Sequence, residues 1–174
     1  MIINPMAGRQ DPQPNPRSEM TDHHCFGCGQ LNEHGLRLEL IPDPAGYGVF
    51  ASFVPPPRTE GYTGMVHGGI ITTVLDEVMA WSLARHGIWA VTGQLTIRYR
   101  KPVMLGEATT ATGYLLRDRG RAIEMRGEIR RDDDGALLAD ATAMFIRVPA
   151  SKASEWQARY GSFGKDDLTE GDNA

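Results

Sequence analysis

Hydrophobic and polar positions follow two rhythms along this chain, and the switch between them marks its elements. Over residues 35–41 the period is two: Leu36, Leu38 and Leu40 share one face, while Arg37 and Glu39 take the other. That is the pattern of a half-buried strand. Residues 47–54 repeat it with Tyr47, Val49, Ala51 and Phe53, and Pro42, Pro44 and Gly46 supply the turn between the two. Pro55-Pro56-Pro57 then ends regular pairing.

Over residues 69–85 the period lengthens. Ile70, Ile71, Val74, Leu75, Val78, Met79, Trp81 and Leu83 cover most of a helix circumference, and Gly87 follows as a stop. An apolar surface that wide predicts a helix enclosed by sheet on several sides. Four longer strands are predicted next, over residues 91–101, 107–117, 122–132 and 137–147. Pro102 with Gly106, Arg119-Gly120-Arg121 and Asp134-Gly135 mark the turns. A short helix over residues 153–160 places Trp156 and Tyr160 on one face.

The expected class is therefore α+β: one long central helix wrapped by a single antiparallel β-sheet of about five to six strands. Residues 1–20, rich in Pro, Asn and Gln, read as a flexible arm. Residues 21–150 read as the folded domain, and residues 151–174 as the short helix followed by an acidic tail.

Composition narrows the function classes. The 174 residues suffice for one domain with a real core, and 41% hydrophobic with 23% charged content is ordinary for a globular chain. The net charge of −4 gives no basic field for nucleic acid. No apolar run approaches the roughly 20 residues of a membrane span. The first residues lack the basic-then-apolar pattern of a secretion signal. Two cysteines three positions apart do not make a disulfide framework, and a cytoplasmic location is the default.

The segment GMVHGGIITTVLDEVMAW, residues 64–81, carries most of the chemistry. Gly68 and Gly69 at a helix start let an external group approach the backbone. The first helical N–H groups have no internal partner and favour developing negative charge, as on a thioester oxyanion. Asp76 is a carboxylate in an otherwise apolar stretch, which is costly unless it is paired or functional. Eight residues separate Gly68 from Asp76, about 12 Å along a helix axis. One chain cannot apply both to one carbonyl, whereas two helices antiparallel across a two-fold can, so the spacing points to a dimeric site.

His23-His24 and Cys25-Phe26-Gly27-Cys28-Gly29 offer zinc ligands on paper, and a CxxC is a redox candidate. Adjacent histidines suit one tetrahedron poorly, and no strand-to-helix context surrounds the cysteines. A tight turn introducing the first strand is the preferred reading. No metal or cofactor is expected.

HGG, six residues, then Asp76, with the downstream strand VTGQLTIRYRKPV over residues 91–103, resembles the phenylacetate-degradation and THEM-type branch of the hotdog-fold acyl-CoA thioesterases. The likeness extends over roughly residues 25–148. It implies a cytoplasmic hydrolase acting on a small or medium acyl- or aryl-acyl-CoA, built as a homodimer with a homotetramer left open. It also implies roles. Gly68 N–H would polarise the thioester carbonyl, Asp76 of the partner subunit would act as base or nucleophile, Thr92 would orient water or the carboxylate, and His67 would organise the loop. Substrate contacts would come from Gly69, from Glu60, Gly61 and Thr63 in the approach loop, and from Arg119 and Arg121 toward the coenzyme A phosphates. Some relatives carry Asn where this chain has Gly61, so the second anchor of the water is open among Glu60, Thr63, Thr92 and the backbone. A hotdog enoyl-CoA hydratase or dehydratase and a non-catalytic acyl-CoA-binding protein are the alternative readings.

Overall fold

The computed structural model describes residues 23–44 and 48–160. The expected arm at 1–20 and the acidic tail lie outside the described residues, as do Gly46 and Tyr47. Within them run β1 (Ile41–Pro42), β2 (Gly48–Phe53), a single 3-10 turn at Pro57–Thr59, α1 (Gly68–Arg85), β3 (Ala90–Tyr99), β4 (Thr109–Arg119), β5 (Ala122–Arg131), β6 (Leu137–Arg147) and α2 (Ala150–Tyr160).

The six strands form one antiparallel sheet in the order β1-β2-β4-β5-β6-β3. The central helix and its wrapping sheet are as the two periodicities predict, and the arrangement is the hotdog fold. α1 buries Ile71, Val74, Leu75, Val78, Met79 and Leu83 against Val49, Ala111, Ile123, Met125, Ile129 and Phe145. Each fully buried aliphatic side chain contributes roughly 1.5–3 kcal/mol of transfer free energy before entropy is counted.

Ser82 fixes the helix to the sheet with no exposed surface of its own. Its Oγ accepts from Val49 N–H at 3.0 Å and lies 2.7 Å from the Val78 carbonyl and 2.6 Å from the Gly113 carbonyl. At the helix C-terminus Arg85 donates to the carbonyls of Asp43 and Gly48. A cation there also complements the helix dipole.

The first predicted strand needs correction. Of residues 35–41 only Ile41 is in a strand, joined by Pro42, which the turn reading had assigned elsewhere. The alternation is real, since Leu38 and Leu40 are buried. The backbone, however, bonds to the cysteine turn: Leu36 N–H to Phe26 O at 2.8 Å and Leu38 N–H to Gly27 O at 2.9 Å, with Arg37 in the left-handed region at φ 53°. Alternating burial thus came from a clipped loop rather than from a ladder. The terminal helix starts at Ala150, three residues before the expected position, and packs Trp156 and Tyr160 on Trp89.

β3 is the sheet edge opposite β1. It is a ten-residue strand, and Val91 and Tyr99 on it are 46% and 55% exposed. A long, partly apolar edge of this kind is a template for another strand.

Candidate active site

The start of α1 is organised by His67. Its backbone is extended and its Nδ1 accepts from Gly69 N–H at 2.9 Å, the geometry of an N-cap. Its carbonyl accepts from Ile70 and Ile71 N–H at 2.9 and 3.3 Å. Three of the first four helical N–H groups are thereby satisfied. The fourth, on Gly68, has no acceptor among the described residues, so an unpaired donor stands at the positive end of the helix dipole.

The approach loop is held against that cap. His67 N–H donates to Thr59 O, Gly61 N–H to Met65 O, and Gly64 N–H to Glu60 Oε1 at 2.7 Å. The Glu60 carboxylate therefore shapes the loop, while Thr63 is exposed in its turn. A Cβ on Gly61 would stand 2.8 Å from His67 Cα. The loop runs too close to the cap for a side chain at this position without a backbone shift.

Asp76 projects from the same helix toward β3. Thr92 Oγ1 donates to its Oδ1 at 2.7 Å. Burial pushes the Asp76 carboxyl above its usual range; the Thr92 hydrogen bond opposes this, and the Cys25 charge adds to it. Asp76 and Gly68 sit at the two ends of one stretch of α1, as the spacing predicts.

Tyr99 was not singled out from the sequence. Its hydroxyl donates to Gly68 O at 3.1 Å and lies 3.2 Å from Thr72 Oγ1. It thus marks the Gly68 end of β3 while Thr92 marks the Asp76 end. Seven positions apart, the two should face opposite sides of a regular strand. A bulge between Thr92 and Gln94 shifts the parity and turns both toward α1.

The arginines separate. Arg119 pairs with Glu124 at 2.8 Å, and Arg100 with Asp140 at 2.6 Å. Arg121 is exposed in the β4–β5 turn. Ala122 pairs with Ile146, which pairs with Val91. Two strand spacings, about 10 Å, therefore separate this hairpin from the strand next to Thr92. The grouping of potential metal ligands among the described residues is His23, Cys25 and Cys28.

Comparison with known proteins gives a consistent picture. Residues 63–138 match the family model described as the Thioesterase superfamily. Acyl-coenzyme A thioesterase THEM4 of Xenopus laevis is 32% identical over 120 residues, covering 68% of this chain and 54% of that protein. The chain spans about half the length of the curated relatives it matches. Among solved structures, a thioesterase superfamily protein superposes with a TM-score of 0.67 at 31% identity, over 71% of this chain and 60% of its own. A Bacillus halodurans protein solved with CoA gives 0.59 at 28% identity, over 66% and 76%.

Proposed function

From a chain whose residues 63–138 belong to the thioesterase superfamily, we propose an acyl-CoA thioesterase that acts as a homodimer. The observation that carries the proposal is the Asp76 carboxylate, raised by burial, held by Thr92 and set two helical turns from the unpaired Gly68 N–H.

The exposed β3 edge supports the dimer. An antiparallel pairing of two β3 edges across a two-fold near Leu95 and Thr96 lays the Tyr99 end of one strand beside the Thr92 end of the other. Gly68, tied to Tyr99, then approaches Asp76 of the partner subunit, tied to Thr92. The two equivalent sites of the dimer each draw on both chains. A dimer of dimers is compatible with this arrangement.

In the reaction the thioester carbonyl oxygen accepts from Gly68 N–H, and Gly69, bonded to His67, keeps that turn in place. Asp76 either takes the proton of a water attacking the carbonyl carbon or attacks it directly. A C–O bond forms, the C–S bond breaks, and coenzyme A leaves as thiolate and takes up a proton. On the direct route the bond is first to Asp76, and water then hydrolyses the resulting anhydride to free acid and regenerates the carboxylate. In this reading Arg121 and, once released from Glu124, Arg119 meet phosphate oxygens. Glu60 and Thr63 border the acyl entrance. The relative solved with CoA supports this class of ligand.

A cytoplasmic setting belongs to the proposal, in keeping with two cysteines that are not joined in a disulfide; cell fractionation tests it. The activity is tested by thiol release across a panel of short, medium, branched and aryl-acetyl CoA esters. Turnover that disappears in Asp76→Ala is expected. Full turnover in that variant, or enoyl-CoA hydration without thiol release, would overturn it.

A further inference from the structure

Outside the site just described, the densest chemistry lies in the turn that introduces the fold. The ligand atoms of His23, Cys25 and Cys28 all lie within 4.8 Å of one another. His23 and Cys28 are each 4% exposed. His24 is exposed, so the adjacent histidines do not compete for one centre. That removes the objection the sequence raised.

The backbone is wound to create this convergence. Gly29 N–H donates to Cys25 O at 2.9 Å and Leu31 N–H to His23 O at 3.3 Å, two overlapping turns that gather both sulfurs and the imidazole. A side chain on Gly27 would collide with Glu77, and one on Gly29 with the Cys25 backbone. The turn is therefore seated on α1 beside Asp76. Cys25 Sγ lies 3.2 Å from Glu77 Oε1, whose carboxylate also accepts from Trp81 Nε1 at 3.1 Å. The His23 ring lies 5.8 Å from that of Tyr160 on α2.

We infer that this turn is a structural zinc site, with His23 Nε2, Cys25 Sγ and Cys28 Sγ as ligands and Glu77 bordering the fourth position. The donor set is soft and mixed sulfur–nitrogen, which favours zinc over calcium or magnesium. Around a tetrahedral zinc, a thiolate sulfur and an imidazole nitrogen stand about 3.6 Å apart. Cys28 Sγ and His23 Nε2 stand 3.7 Å apart here. A catalytic redox pair is disfavoured, because no helix begins at these cysteines. Both sulfurs bind as thiolates, and the ion fastens the first turn to α1 and toward α2.

The full chain is purified from zinc-supplemented cells and its metal content measured by mass spectrometry. About one zinc per chain is expected, retained in His24→Ala and lost in His23→Ala, Cys25→Ser and Cys28→Ser. To separate metal loss from misfolding, chelator-stripped wild-type chain is titrated with Co(II). Tetrahedral ligand-field bands with thiolate-to-cobalt charge transfer are expected. A metal-free chain with a featureless Co(II) titration, or full zinc content in the Cys25→Ser/Cys28→Ser double variant, would overturn the inference.

Discussion

Thr92, on the first strand after the central helix, donates a 2.7 Å hydrogen bond to Asp76, two helical turns beyond the glycines that open that helix. The bond orients a carboxylate that the surrounding apolar helix surface would otherwise disfavour. It stabilises the charged form, against the desolvation that favours the neutral one. The balance between these two effects decides how much of Asp76 is ionised at a given pH.

Asp76→Asn keeps the shape and the Thr92 contact but removes the proposed base or nucleophile. Turnover should fall by roughly 10²–10⁴-fold. Stability should move the other way. The folded-state carboxyl is raised above the unfolded value of 3.8, so its contribution is complete below that value and is lost as pH rises through the folded one. The variant should therefore melt higher than wild type at pH 7, with the gap closing below about pH 4. Calorimetry across pH reads the sign; a lower melting temperature at pH 7 would contradict it.

Thr92→Val removes the hydrogen bond at nearly constant volume. With the opposing bond gone, burial acts alone and the Asp76 carboxyl rises further. The acid limb of the kcat/KM profile should move to higher pH, with a smaller loss at the plateau than for Asp76→Asn. An unmoved limb would mean that Asp76 is not the group whose ionisation the profile reports.

Ser82→Ala tests the seat of the helix rather than its chemistry. The change leaves Val49 N–H buried without its acceptor and removes the single hydroxyl proton that sits between the Val78 and Gly113 carbonyls. A loss of about 1–3 kcal/mol is expected in denaturant unfolding, with KM unchanged.

Much of this was legible in the sequence, and the exceptions have physical causes. The period change at residue 69 defines α1, and the HGG-to-Asp76 spacing is what points to a two-chain site. Tyr99 escaped because a bulge at Gly93 breaks the two-residue parity that a strand reading assumes. The 35–41 segment misled because side-chain alternation reports burial and not pairing; only the hydrogen bonds to Phe26 and Gly27 separate the two. The convergence of His23, Cys25 and Cys28 depends on which of two neighbouring histidines turns inward, and spacing carries no information on that.

Gly68→Pro isolates the backbone donor. Proline is well tolerated at the first helical position, since its missing N–H is unpaired there in any case. His67 already has the extended conformation, φ −62° and ψ 135°, that a residue before proline requires. The helix should therefore form, and the dimer with it. The proposed oxyanion donor is lost, and kcat should fall by roughly 10²–10³-fold. A variant with wild-type kcat would place the carbonyl elsewhere.

The two defects together decide whether the site is shared. Asp76→Asn and Gly68→Pro should each be nearly inactive as homodimers. After unfolding and co-refolding in equal amounts, half of the dimers pair one chain of each kind. If Gly68 of one chain serves Asp76 of the partner subunit, each mixed dimer holds one site with both defects and one with neither. Roughly a quarter of wild-type activity should then return. If each chain uses its own Gly68 and Asp76, every site keeps one defect and nothing returns. The 12 Å or so that separate the two residues along α1 favour the first outcome. Thiol release from the mixture against each parent distinguishes them without any assumption about the acyl group.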